Sequence, residues 1–99
     1  MIFNITFDVE SRTMSLTSIT DKNDRDTYEI HVTYNGTLDE GCEAYCVLEN
    51  RERLQIIDDV VEIPIVSDYL VIQLSFVWED RRFYSLNTII LRESDIIKA

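Results

Sequence analysis

Residues 69–91, YLVIQLSFVWEDRRFYSLNTIIL, constrain this chain more than any other stretch. In the first arm Leu70, Ile72, Leu74, Phe76 and Trp78 alternate with Tyr69, Val71, Gln73, Ser75 and Val77. Side chains on a strand change face at every residue, so one face of this arm is wholly apolar and the other mixed. Glu79, Asp80, Arg81 and Arg82 interrupt with four charges, and the run resumes at Phe83. Two β-rich arms around a short polar break predict an antiparallel hairpin with the two arginines at its tip. The second arm divides into Tyr84, Leu86 and Ile90 on one face and Phe83, Ile89 and Leu91 on the other. A facing sheet covers only one side of such a ribbon. The other side leaves an apolar patch of the kind that marks an interaction surface.

The upstream chain reads as shorter strands. Phe3, Ile5, Phe7 and Val9 alternate with Asn4, Thr6 and Asp8, which predicts a half-buried first strand. Residues 13–20 continue with Met14 and Leu16 inward and Ile19 out of phase, a slip that a β-bulge near Ser18 repairs. Tyr28, Ile30, Val32 and Tyr34 form the inner face of a third strand, with His31 on its polar side. Asn35-Gly36 follows, a pair that accepts the positive φ of a type I′ turn. Residues 38–54 carry a strand over 43–48, and a short helix is the competing reading. Pro64 cannot donate to a ladder, so it places residues 60–66 at a sheet edge or a strand end. Ile96-Ile97 has no evident partner, which makes residues 92–99 a frayed or partner-docking tail. Seven to eight short strands with frequent turns predict an all-β chain: one antiparallel β-sandwich domain spanning residues 1–99.

Composition narrows the function. Nineteen acids against nine bases give a formal charge of −10, which repels nucleic-acid phosphates and anionic membrane surfaces. Direct nucleic-acid or membrane binding is therefore not expected. No apolar run reaches the roughly 18 residues of a membrane span, and the opening MIFNITFDVE lacks the features of a signal peptide. A cytoplasmic protein is expected. On one strand Cys42 and Cys46 would lie about 13 Å apart at about 3.3 Å per residue, too far for a disulfide. With one histidine and no CxxC, zinc lacks ligands. The polar run 21–26, DKNDRD, begins like a calcium loop but has Arg25, Asp26 and Val32 where that loop needs an oxygen ligand, Gly and Glu. The acidic pairs Asp58-Asp59 and Glu79-Asp80 fall in expected turns, where solvent keeps carboxylates ionised and unsuited to acid catalysis. No phosphate loop, nucleophile elbow or Ser–His pairing is visible, so neither enzyme activity nor a cofactor is expected.

The candidate interface residues are Arg81, Arg82, Tyr84, Leu86 and Ile90. Arginine beside aromatics (here Trp78, Phe83 and Tyr84) is the composition enriched in interface hot spots. Pairing of the arginines with surface acids is the plainer alternative. Self-association as a two-fold homodimer, or an obligate protein partner, follows from the uncovered face.

The order of segments ITFDVES, TYEIHVTYNGTLD, AYCVLE and IIDDVVEIPI, then a closing strand pair, resembles the N-terminal domain of phage baseplate upper proteins. Residues 34–39, 44–48 and 56–60 carry the likeness. It implies an immunoglobulin-like sandwich serving as a virion structural or adaptor component, made in the host cytoplasm and incorporated into the particle. Such modules usually precede a fibre-like or coiled-coil region, whereas this sequence stops at Ala99. Two other readings compete. A small acidic inhibitor would mimic DNA towards a nucleic-acid-binding enzyme, and a carbohydrate-binding sandwich would need Trp78 or tyrosines exposed as sugar platforms.

Overall fold

Among the described residues the alternation in each segment is realised as nine strands in two facing sheets. A computed structural model describes residues 1–21 and 26–92. Sheet I has the order β2 (Thr13–Thr20), β1 (Ile2–Asp8), β3 (Thr27–Asn35) and β6 (Val60–Pro64). Sheet II has the order β5 (Arg53–Gln55), β4 (Glu43–Leu48), β7 (Tyr69–Trp78) and β8 (Arg81–Tyr84), with β9 (Ile89–Arg92) also on β7. The chain is an all-β sandwich, as the periodicity indicates. The pairing is not wholly antiparallel, however: β1 and β3 run parallel, Phe3 opposite Ile30 and Phe7 opposite Tyr34. Parallel neighbours need a long connection, which here contains the whole of β2.

Period-two patterning makes the core. Phe3, Ile5, Phe7, Ile30 and Ile63 from sheet I meet Cys46, Ile72, Leu74, Phe76 and Leu91 from sheet II, all fully or almost fully buried. Phe7 and Phe76 touch across the interior with ring centroids 4.7 Å apart, and Phe76 stacks on Phe83 at 5.2 Å. At about 25 cal/mol per Å² of buried apolar surface, this double layer is the main source of stability. Trp78, expected in the core, is only half-buried, and its indole N–H donates to the Glu40 carbonyl at 3.1 Å. A polar tip needing a partner holds that ring at the rim.

The turns show where local signals decide and where they do not. The register of β1 on β2 slips between Asn4–Ser18 and Ile5–Leu16, so Thr17 is the bulged residue and Ile19 regains the inner face opposite Phe3. Asn35-Gly36 does not form a type I′ hairpin. Only Gly36 has positive φ (112°), and β3 and β4 belong to different sheets. Gly36 is required all the same, because a Cβ there would lie 3.0 Å from Val9 Cβ. Positive φ at both central residues occurs instead at Asp58 (55°) and Asp59 (65°), between Ile57 and Val60, which exchange backbone hydrogen bonds of 3.1 Å. That turn carries the chain from sheet II to sheet I.

Candidate functional site

The organising ribbon is a hairpin whose turn is Glu79-Asp80 alone, since Trp78 pairs with Arg81. Arg81 and Arg82 are therefore the first two residues of β8 rather than its tip. The arms stay in one register only as far as Tyr84 opposite Ser75, and β9 resumes with Ile89 opposite Ile72. Gln73 and Leu74 thus face residues 85–88, a wide bulge. Ser85 substitutes for the ladder there: its N–H donates to the Leu74 carbonyl (2.9 Å), and its Oγ accepts the Leu74 N–H (3.1 Å). The bulge frees Asn87 to clasp β2 in the other sheet. Asn87 Oδ1 accepts the Met14 N–H and Nδ2 donates to the Met14 carbonyl, both at 2.9 Å. Next to it the Leu86 N–H donates to the Arg12 carbonyl at 2.7 Å. Arg12 reaches that position in left-handed conformation (φ 59°), with its guanidinium 5.0 Å from the Phe83 ring centre.

With Phe76, Phe83 and Leu91 turned inward, the other face of the ribbon points away from the core. Cross-strand register orders it into rows. Glu43, Val77 and Arg82 form one, and Gln55, Tyr45, Ser75 and Tyr84 the next. Arg53, Val47 and Gln73 follow, then Val71 with Ile90, then Tyr69 with Arg92. Tyr84, Leu86, Ile90 and Tyr69 are exposed, at 44%, 74%, 51% and 46%. The expected division of the second arm into a covered and an uncovered side is present. Ser75 lies at the middle of the face but is fully buried, flanked by Tyr45 and Tyr84, and its Oγ has no hydrogen-bond partner among the described residues.

The electrostatics of this face are unusual for so acidic a chain. Arg53, Arg82 and Arg92 stand at its perimeter, with Glu43 the only acid on its strands. Among the described residues no carboxylate is within ion-pair distance of Arg53, Arg81, Arg82 or Arg92. The expected alternative, in which the arginines are spent on neighbouring acids, is not what the structure shows. Arg81 instead lies 5.9 Å from the centre of the Trp78 ring. The Tyr45 hydroxyl donates to Glu43 Oε2 at 2.6 Å. That bond raises the Tyr45 pKa, while the nearby Arg82 pulls it the other way.

Other sequence candidates do not converge with this face. His31 stands on the outer side of sheet I with Nε2 3.2 Å from Glu29 Oε2. Asp58, Asp59, Glu79 and Asp80 are exposed in turns. Residues 22–25 of the calcium-like run, and Ile96-Ile97, lie outside the described residues. Both cysteines are free thiols, and burial pushes Cys46 up to about 12. Among the described residues no group of three or more His, Cys, Asp or Glu is arranged to hold a metal ion. An open groove of about 310 Å³ at one end of the sandwich is lined by Leu48, Leu54, Ile63 and Leu70, with Glu49 and Glu52 at hand. Sequence reading missed Ser75 and Asn87. Neither carries a local signal, since the role of each depends on a strand distant in sequence. Comparison with protein-family models, curated proteins and solved structures finds no match to this chain.

Proposed function

We propose that the protein is a non-enzymatic protein–protein interaction module that engages its partner through the outer face of sheet II. The observation that carries this reading is the uncovered row structure itself. Tyr45, Val47, Val71, Val77, Tyr84 and Ile90 lie on strand positions facing away from the core, framed by arginines that have no ion partner among the described residues. Aromatic and arginine side chains around an apolar centre are what interface cores are enriched in. The proposed setting is a phage virion, with the domain a baseplate structural or adaptor component made in the host cytoplasm; its support is the segment order described above.

The placement of the acids favours assembly over DNA mimicry. On strands only Asp8, Glu29, Glu43 and Glu62 are acidic, and the other described carboxylates sit in turns and connections at both ends of the sandwich. A phosphate mimic needs its charges gathered along one face. The test is affinity capture from uninfected and infected cells with wild type, Tyr84→Arg on sheet II and Thr6→Arg on sheet I. A virion protein held by wild type and Thr6→Arg but lost with Tyr84→Arg is the expected result. Recovery of a nuclease or polymerase, insensitive to Tyr84→Arg, would replace this reading with the inhibitor one.

A further inference from the structure

We infer that the face binds a second copy of the chain about a two-fold axis running along β7; the inference rests on the interaction reading above and specifies its partner. The register carries it. β4 and the β8–β9 arm flank β7 on opposite sides, so a rotation about β7 sets each against the other at equal height. In the first row Glu43 then meets the partner's Arg82, and Arg82 meets the partner's Glu43. In the second row Tyr45 meets the partner's Tyr84, with the small Ser75 on the axis between them. Farther along, Arg92 approaches the turn after β4, where Glu49 and Glu52 outnumber Arg51.

The same charges reject the alternative dyad. An axis across the strands would reverse the rows and place Arg82 against the partner's Arg92, a like-charge contact without compensation. Among the described residues Glu43 and Arg82 have no ion partner, and the two-fold along β7 satisfies both at once. Sheets packed face to face lie about 10 Å apart with strands within about 30° of alignment, a spacing these side chains fill by interdigitating. Because the contact is isologous it closes at two copies.

Sedimentation velocity of the full chain across a dilution series tests this directly. Wild type is expected as a dimer that dissociates on dilution. Tyr84→Arg should be monomeric, and Glu43→Arg and Arg82→Glu should each weaken the dimer at least about tenfold, in line with close charge pairs at interfaces. The double variant Glu43→Arg with Arg82→Glu should recover most of the loss, which a merely structural effect of either residue would not. All three positions are exposed, and circular dichroism verifies that each variant is folded. A monomer at every concentration, or a double variant no better than the singles, overturns the two-fold assignment. Capture of another protein through the same face by that monomer would leave the interaction reading standing, and loss of both would remove it.

Discussion

The two sheets are alike inside and unlike outside. Inward, sheet I presents Phe and Ile, and sheet II presents Phe, Ile and Leu. Outward, sheet I shows Ser15, Thr6 and Thr33 in one row and Ser18, Asn4 and His31 in the next, with Glu29 beside Glu62. No strand of sheet I carries Lys or Arg. Sheet II shows tyrosine, valine and isoleucine outward, with arginines at the margin. Folding requires only the inner faces, and sheet I demonstrates that this sandwich forms with a polar exterior. The apolar exterior of sheet II is therefore what folding leaves unexplained, and it directs attention to binding.

The largest expected effect tests the likeness of the interiors. Phe7→Ala in sheet I and Phe76→Ala in sheet II should each cost about 3–5 kcal/mol, because each ring is fully buried and leaves a cavity. Denaturant midpoints measure both. A much smaller loss at one site would mean the sheets do not share the core equally. Asn87→Ala should come next, at about 1–3 kcal/mol, since it strips two hydrogen bonds from the partly buried Met14 backbone.

Alkaline titration separates the sheets differently. Burial pushes Cys46 in sheet II from 9.0, and Tyr34 in sheet I from 10.0, up to about 12 in each case. The nearby Asp59 and Cys42 add to the Tyr34 shift. Both groups are neutral when protonated and both values are raised by folding. Their contribution is complete below the unfolded pKa and lost as pH climbs through the folded one. Stability should be insensitive to these two groups below pH 9.0, then fall first through Cys46 and, above 10.0, through Tyr34 as well. Cys46→Ala should flatten the earlier part of the urea-midpoint profile and Tyr34→Phe the later. Cys42 shifts in the same direction, chiefly through burial, and blurs the onset slightly.

The smallest stability effect is the sharpest test of the exterior. Tyr84→Arg and Thr6→Arg should each change monomer stability by no more than about 0.5 kcal/mol, as surface substitutions do. Only Tyr84→Arg should alter association, read by sedimentation. Equal effects of the two on association would erase the distinction between the faces.

Much of the fold was legible because period two is a local signal. Phe3, Ile5 and Phe7, or Ile72, Leu74 and Phe76, declare their face by spacing alone, and the slip at Ile19 announced a bulge. The exposed side of Tyr84, Leu86 and Ile90 followed by the same logic. Sheet membership was not legible. Asn35-Gly36 has the chemistry of a hairpin, but whether β4 returns beside β3 depends on β7, which takes β4 as its neighbour. The parallel pairing of β1 and β3 was hidden for the same reason, since nothing in either strand names its neighbour. The arginines were recognised as candidates, but the absence of acids around them depends on strand order.

The clasp of Asn87 on Met14 bears on time as well as on stability. Its partners are 73 residues apart in the chain. Contacts of such separation wait until the intervening strands have closed, because the loop entropy is otherwise unrewarded. An interaction made after the rate-limiting step leaves the folding rate alone and slows escape from the native state. Asn87 is thus expected to set how long a folded molecule persists rather than how soon it forms: Asn87→Ala should speed unfolding and leave the folding rate unchanged in stopped-flow kinetics.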